Sequence, residues 1–109
     1  VRYGQTVSLD SIDFTFRNAG HVLGSAFVEI NAGSKFVFSG DIGEKGRLII
    51  NDPDFPPKTD YLIVESTYGD RNHRSVEESI DELRQAILDT FERGGNVLIP
   101  SFALERTQE

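Results

Sequence analysis

From Val7 to Ser39 apolar and polar residues alternate with a period near two. Val7 and Leu9, then Ile12, Phe14 and Phe16, then Phe27 to Ile30, then Lys35 to Ser39 read as half-buried strands that pair antiparallel. Gly33-Ser34 lies between the last two runs and predicts a two-residue hairpin turn. Such a turn pairs Ala32 with Lys35 and, counting outward, Ala26 with Asp41. The same up-and-down path puts the loop 18–25 and the end of strand 35–39 at one sheet edge. His21 and Asp41 are then neighbours in space although far apart in sequence.

Tyr61-Leu62-Ile63-Val64 is an unbroken apolar run, as in a strand covered on both faces, and it ends at Glu65. Before it, Asn51-Asp52-Pro53-Asp54-Phe55-Pro56-Pro57 is a surface crossover loop, because its prolines remove donors and restrict their neighbours. A helix is predicted over 75–93, with Val76, Ile80, Leu83, Ile87 and Phe91 on one face. Ser75 and Glu78 make a capping-box pattern, and Gly94-Gly95 supplies the stop. Residues 96–100 read as a buried strand, so 61–65, the helix and 96–100 form a β-α-β unit with parallel strands and a right-handed crossover. Glu65 and Ser101 would share its edge.

The 109 residues amount to one domain's worth of material. The chain opens on Val1, contains no methionine, and stops at Thr107-Gln108-Glu109 where a helix would begin, so we expect a piece of a longer protein. No apolar stretch approaches the roughly 20 residues that span a bilayer, which excludes a membrane-spanning segment. Without cysteine, disulfides and thiolate metal sites are excluded, and any metal must be held by histidine and carboxylate. That is compatible with a cytoplasmic protein, and no secretory signal pattern opens the chain. A net charge of −7 argues against binding nucleic acid by bulk attraction to phosphate. Any polyanion must be held locally, and bound divalent cations would reverse the field at a carboxylate-rich site.

Four polar residues follow strand-like runs and sit beside glycine, proline or small residues: His21, Asp41, Glu65 and Ser101. Strands fix such groups while loops admit substrate. His21, between glycines, suits metal ligation or a simple solvated loop position. Asp41 could ligate, its two oxygens bridging a pair of metals, or could merely shape an Asp-Ile-Gly turn. Glu65 could serve acid-base chemistry or tether the loop after it. Arg71, just before the helix, suits phosphate or solvent. Ser101 could donate to a phosphate or cap a following helix, and Arg106 stands near it in sequence.

Taken in series, Ala19-Gly20-His21-Val22-Leu23-Gly24-Ser25-Ala26, Ser39-Gly40-Asp41, Glu65-Ser66-Thr67-Tyr68-Gly69-Asp70-Arg71 and the segment from Pro100 through Arg106 to Glu109 resemble the β-CASP branch of the metallo-β-lactamase superfamily. That branch consists of RNA-processing nucleases, and the resemblance covers nearly the whole chain. It implies an α/β fold. Antiparallel strands over 6–39 would belong to a metallo-β-lactamase αβ/βα sandwich, running into the start of a β-CASP α/β domain. Residues 1–66 would be the later part of the first metallo-β-lactamase half, and 67–109 the start of the β-CASP domain.

By the same resemblance His21 and Asp41 belong to the third and fourth metal motifs, with Asp41 bridging two zinc ions. Glu65 matches an acidic residue thought to position a histidine that protonates the leaving group. Ser101 and Arg106 match a segment near the substrate, and Glu105 departs from the glycine common at its position; Arg71 is a substrate-binding candidate on the chemistry of its fork. The implied activity is zinc-dependent cleavage of single-stranded RNA, by an endonuclease or an exonuclease, in a homodimer or a processing complex. The family's H-x-H-x-D-H motif and two later histidine motifs are absent from these 109 residues. The isolated chain is therefore expected to be inactive, since zinc takes about four ligands. The alternatives are a non-catalytic scaffold subunit and a metallo-hydrolase acting on another ester.

Overall fold

In a computed structural model that describes residues 1–108, the strands are β1 (Thr6–Leu9), β2 (Ile12–Asn18), β3 (Ala26–Asn31), β4 (Lys35–Phe38) and β5 (Tyr61–Ile63). They form one five-stranded sheet in chain order. A single helix among the described residues, α1, spans Val76–Glu92. Glu109, the end of the second expected domain, lies outside the described residues. The first four strands pair antiparallel, and β5 joins β4 in parallel, with Phe36 opposite Tyr61 and Phe38 opposite Ile63.

The β3–β4 register corrects the hairpin expectation. Asn31, not Ala32, lies opposite Lys35, so the connection has three residues, Ala32-Gly33-Ser34. Gly33 takes φ +82°, and the Ala32 N–H donates to the Ser34 carbonyl at 3.0 Å. A left-handed glycine suits a three-residue hairpin, whereas a two-residue loop would need its own primed turn. Carried outward, this register sets Gly40 rather than Asp41 level with Ala26, and the ideal Cβ position of Gly40 lies 3.5 Å from the Ala26 carbonyl oxygen.

Cross-strand partners share a face, so the ladder sorts the side chains. Phe14, Phe16, Val28, Ile30, Phe38 and Ile63 share the apolar face, yet Phe16, Phe38 and Ile63 remain exposed. Burial is deepest on the other, mixed face, at Thr15, Phe27 and Val37. There the crossover loop, through Pro53, Phe55 and Pro56, borders a small cavity lined by Phe27, Val37 and Leu62. The expectation that 61–64 is covered on both faces is not met, because Tyr61, Leu62, Ile63 and Val64 are each about half exposed. An apolar strand is covered only where a second layer reaches it, and the crossover loop overlies part of one face.

The helix begins as its sequence requires. Ser75 Oγ accepts the Glu78 N–H at 3.1 Å while Glu78 Oε2 accepts the Ser75 N–H at 3.0 Å, the reciprocal capping box. At the other end Gly94, at φ +68°, donates its N–H to the Phe91 carbonyl at 2.9 Å. The expected strand at 96–100 is not formed, so the β-α-β unit is not closed among the described residues. A strand exists only through a ladder, and Pro100 contributes no donor to one. Residues 103–108 form turns where a helix was expected to begin.

The chain divides into two compact units, one of Val1–Ser66 with residues 103–108 and the other of Thr67–Phe102. No helix among the described residues is long and apolar enough to cross a membrane.

Candidate functional site

The loop carrying His21 leaves β2 and returns to β3 through a turn closed by Ser25. Ser25 Oγ accepts the N–H groups of His21 and Val22 at 3.0 and 3.2 Å, and the Ser25 N–H donates to the Val22 carbonyl at 2.9 Å. A hydroxyl that accepts two local amides fixes a loop that no ladder holds. At the other end of the turn the Ala19 N–H donates to the Ser25 carbonyl at 3.2 Å. His21 itself is half-buried.

Asp41 lies in the segment that follows β4 and is exposed. This segment meets the His21 loop backbone to backbone. The Gly43 N–H donates to the Ala19 carbonyl at 2.8 Å, and a Cβ at Gly43 would fall 1.6 Å from the Gly20 carbonyl oxygen. Gly20 is in turn crowded by Pro53, whose nitrogen would lie 2.7 Å from an added Cβ, and has φ +63°. Only residues without a Cβ permit this approach.

Glu65, just past β5, reaches across to the same segment. Its Oε1 accepts the Ile42 N–H at 2.5 Å, and its own N–H donates to Ser39 Oγ at 3.0 Å. The carboxylate thus fixes the turn that carries Asp41, whereas the tethering alternative had placed its contacts on the loop after it. The segments bearing His21, Asp41 and Glu65 come together within one unit.

The other expected residues are placed differently. Arg71 belongs to the second unit and turns its fork on its neighbour, with Nε and Nη2 donating to the two Asp70 carboxylate oxygens at 3.0 and 3.1 Å. That guanidinium holds the Asp70 carboxyl below the usual carboxylate range. Ser101 is exposed in the second unit, and because 96–100 form no strand it shares no ladder edge with Glu65. Arg106 lies in the turns of 103–108, where its N–H donates to the Leu104 carbonyl at 2.8 Å.

Several residues that hold the site carry little sequence signal. Asn18 Oδ1 accepts the Gly20 N–H at 3.1 Å, while its Nδ2 donates to the carbonyls of Asn51 and Asp52 at 3.3 and 2.9 Å. One amide therefore joins the His21 loop to the crossover. Arg47 Nη1 donates to the His21 carbonyl at 3.3 Å, and Glu105 Oε2 accepts the Leu23 N–H at 2.7 Å. An asparagine before a glycine-rich loop is a usable hint for Asn18; nothing local marks Arg47 or Glu105.

An imidazole and a carboxylate on adjoining loops, with no thiolate in the chain, suit a zinc site. No group of three or more metal-binding side chains occurs among the described residues.

Over its whole length the chain is homologous to stretches of RNA-cleaving nucleases. It is 42% identical over 110 residues to Ribonuclease TTHA0252 of Thermus thermophilus, and 42% identical over 111 residues to Endoribonuclease YSH1 of Saccharomyces cerevisiae. It is also 41% identical over 111 residues to cleavage and polyadenylation specificity factor subunit 3 of Dictyostelium discoideum. All of this chain is covered in each case, but it spans only 26% of the Thermus protein and 14% of each of the other two. No family model matches the chain.

Proposed function

We propose that this chain is an internal part of a zinc-dependent β-CASP ribonuclease acting on single-stranded RNA, with His21 and Asp41 among its metal ligands. The observation that carries this reading is the junction of the two loops. The Gly43 to Ala19 hydrogen bond brings the segments of His21 and Asp41 together, on a chain homologous to ribonucleases from end to end. Its open apolar sheet face, with Phe16, Phe38 and Ile63 exposed, supports placing the sheet in a larger αβ/βα sandwich whose facing layer comes from elsewhere.

His21 and Asp41 would hold zinc together with ligands from outside this chain. Bound there, a zinc pair supplies Lewis acidity and lowers the pKa of an attacking water. Glu65 keeps the Asp41 turn in place through Ile42. Held this way, Asp41 reaches the site without searching loop conformations, which matters because catalysis loses heavily from small misplacements.

The test is Asp41→Ala in the full-length protein, with bound zinc measured by elemental analysis and cleavage followed on a labelled single-stranded RNA. Loss of zinc and of cleavage is expected. Retained zinc together with retained cleavage rejects the assignment.

A further inference from the structure

Among the described residues Glu105 is the most deeply buried charged one, with a relative exposure of 2% and a fully covered side chain. It sits at φ +66°, a left-handed conformation that costs any residue with a Cβ. Burial and backbone strain at one acidic residue demand a compensating interaction. Both contacts of its side chain lead to the His21 loop. Oε2 accepts the Leu23 N–H at 2.7 Å, and Oε1 faces Arg47 Nη2 at 3.5 Å. Arg47 is itself mostly covered, and its other terminal nitrogen, Nη1, donates to the His21 carbonyl at 3.3 Å. The loop is therefore gripped at the carbonyl of His21 and at an amide two residues later by a carboxylate and a guanidinium that also face each other.

We propose that Glu105 and Arg47 form a positioning pair that sets the orientation of His21 for metal binding. The proposal rests on His21 being a metal ligand. A buried ion pair is weak as a source of stability, because desolvation offsets its attraction, but it is selective for one geometry. Holding a loop backbone at a ligand and two residues past it restricts its imidazole as a hydrogen-bonded outer partner does, and such partners are worth about 10–100-fold in metal affinity. The pair also makes residues 103–108 part of the site's support, although Glu105 lies 82 residues from Leu23. A glycine at 105 would remove the strain and the grip together.

The test uses the full-length protein and its variants His21→Ala, Glu105→Gly, Glu105→Gln and Arg47→Met. Metal affinity is read by chelator competition, and ligand geometry by the visible spectrum of the cobalt(II)-substituted protein. Glu105→Gly and Arg47→Met should each weaken the metal about 10–100-fold and alter the cobalt spectrum. Glu105→Gln keeps an acceptor for Leu23 but loses the charge facing Arg47, so it should fall between these and the unaltered protein. Should the glycine or methionine variant fail to fold, the near-isosteric glutamine variant decides alone, and an unchanged affinity and spectrum overturn the pair's role. If His21→Ala loses metal while all three pair variants bind it normally, the pair is not a positioning device, although the metal site stands. If His21→Ala keeps its full metal content and spectrum, the site assignment fails and takes this inference with it.

Discussion

The Gly43 N–H donates to the Ala19 carbonyl at 2.8 Å, and the two backbones lie so close that a Cβ on Gly43 would overlap the Gly20 carbonyl. A contact between main chains cannot be relieved by turning a side chain aside, so it acts as a gauge on the spacing of the two loops. Gly43→Ala should therefore cost about 1–3 kcal/mol, the range of overpacking in a closely fitted site. It should also lower zinc occupancy, because the His21 and Asp41 loops must part. Denaturant unfolding of the full-length protein and elemental analysis check this; an alanine variant as stable as its parent would mean the loops are not in contact.

Glu65 separates two roles through its isostere. Glu65→Gln keeps an oxygen to accept the Ile42 N–H, so the Asp41 turn and the bound zinc should survive with a loss of less than about 1.5 kcal/mol. Glu65→Ala should loosen the turn and reduce zinc as well. If the charge serves the leaving group, the glutamine variant should still cleave RNA at least about tenfold more slowly at unchanged zinc content. Equal rates for the glutamine variant and its parent would leave Glu65 as a structural brace alone.

The strands over 6–38 are legible in the sequence because a half-buried strand must alternate, and Ile12, Phe14 and Phe16 do so without interruption. Which face becomes covered is not legible. Alternation marks Phe16 as inward, yet Phe27 and Val37 on the opposite face are the buried ones, because cover there comes from Pro53 to Pro56 in a distant loop. The hairpin slips by one residue for a local reason: Gly33 accepts a left-handed turn in either loop length, and sequence alone does not choose between them. The approach of the His21 and Asp41 segments is legible from strand direction. Their supports are not, since Arg47 meets His21 across 26 residues and Glu105 meets Leu23 across 82, distances at which residue type carries no pairing rule.

Ser75→Ala should cost about 1 kcal/mol, the usual worth of a hydroxyl N-cap. It removes the acceptor of the Glu78 N–H and leaves the Glu78 side chain without its reciprocal geometry. Because the acidic first turn, Glu77 and Glu78, stays favourable at a helix start, α1 should persist with a frayed beginning. Amide hydrogen exchange at Glu78 and Ser79 should accelerate while that at Phe91 does not; uniform acceleration along α1 would mean the helix melts as one piece instead.

The pairing of Asp70 with Arg71 offers a reporter for substrate. Both side chains are exposed, and the guanidinium fork depresses the Asp70 pKa and raises that of Arg71. A carboxyl with a depressed folded pKa contributes stability above its ordinary pKa, near 3.9, and loses that contribution as the pH falls through the lower folded value. With respect to pH alone, Asp70 is therefore charged beside Arg71 at neutral pH and is neutralised only in acid. Arg71→Gln should return the Asp70 titration upward toward the ordinary carboxylate range, and high salt should do so in part, since exposed charges are screened. If Arg71 leaves Asp70 to grip a phosphate, a non-cleavable single-stranded RNA should raise the Asp70 midpoint in the same way. Carboxyl carbon NMR titration of the full-length protein with and without that RNA reads the difference. A midpoint that rises in Arg71→Gln but is unmoved by saturating RNA would assign Arg71 to Asp70 alone and remove it from the substrate surface.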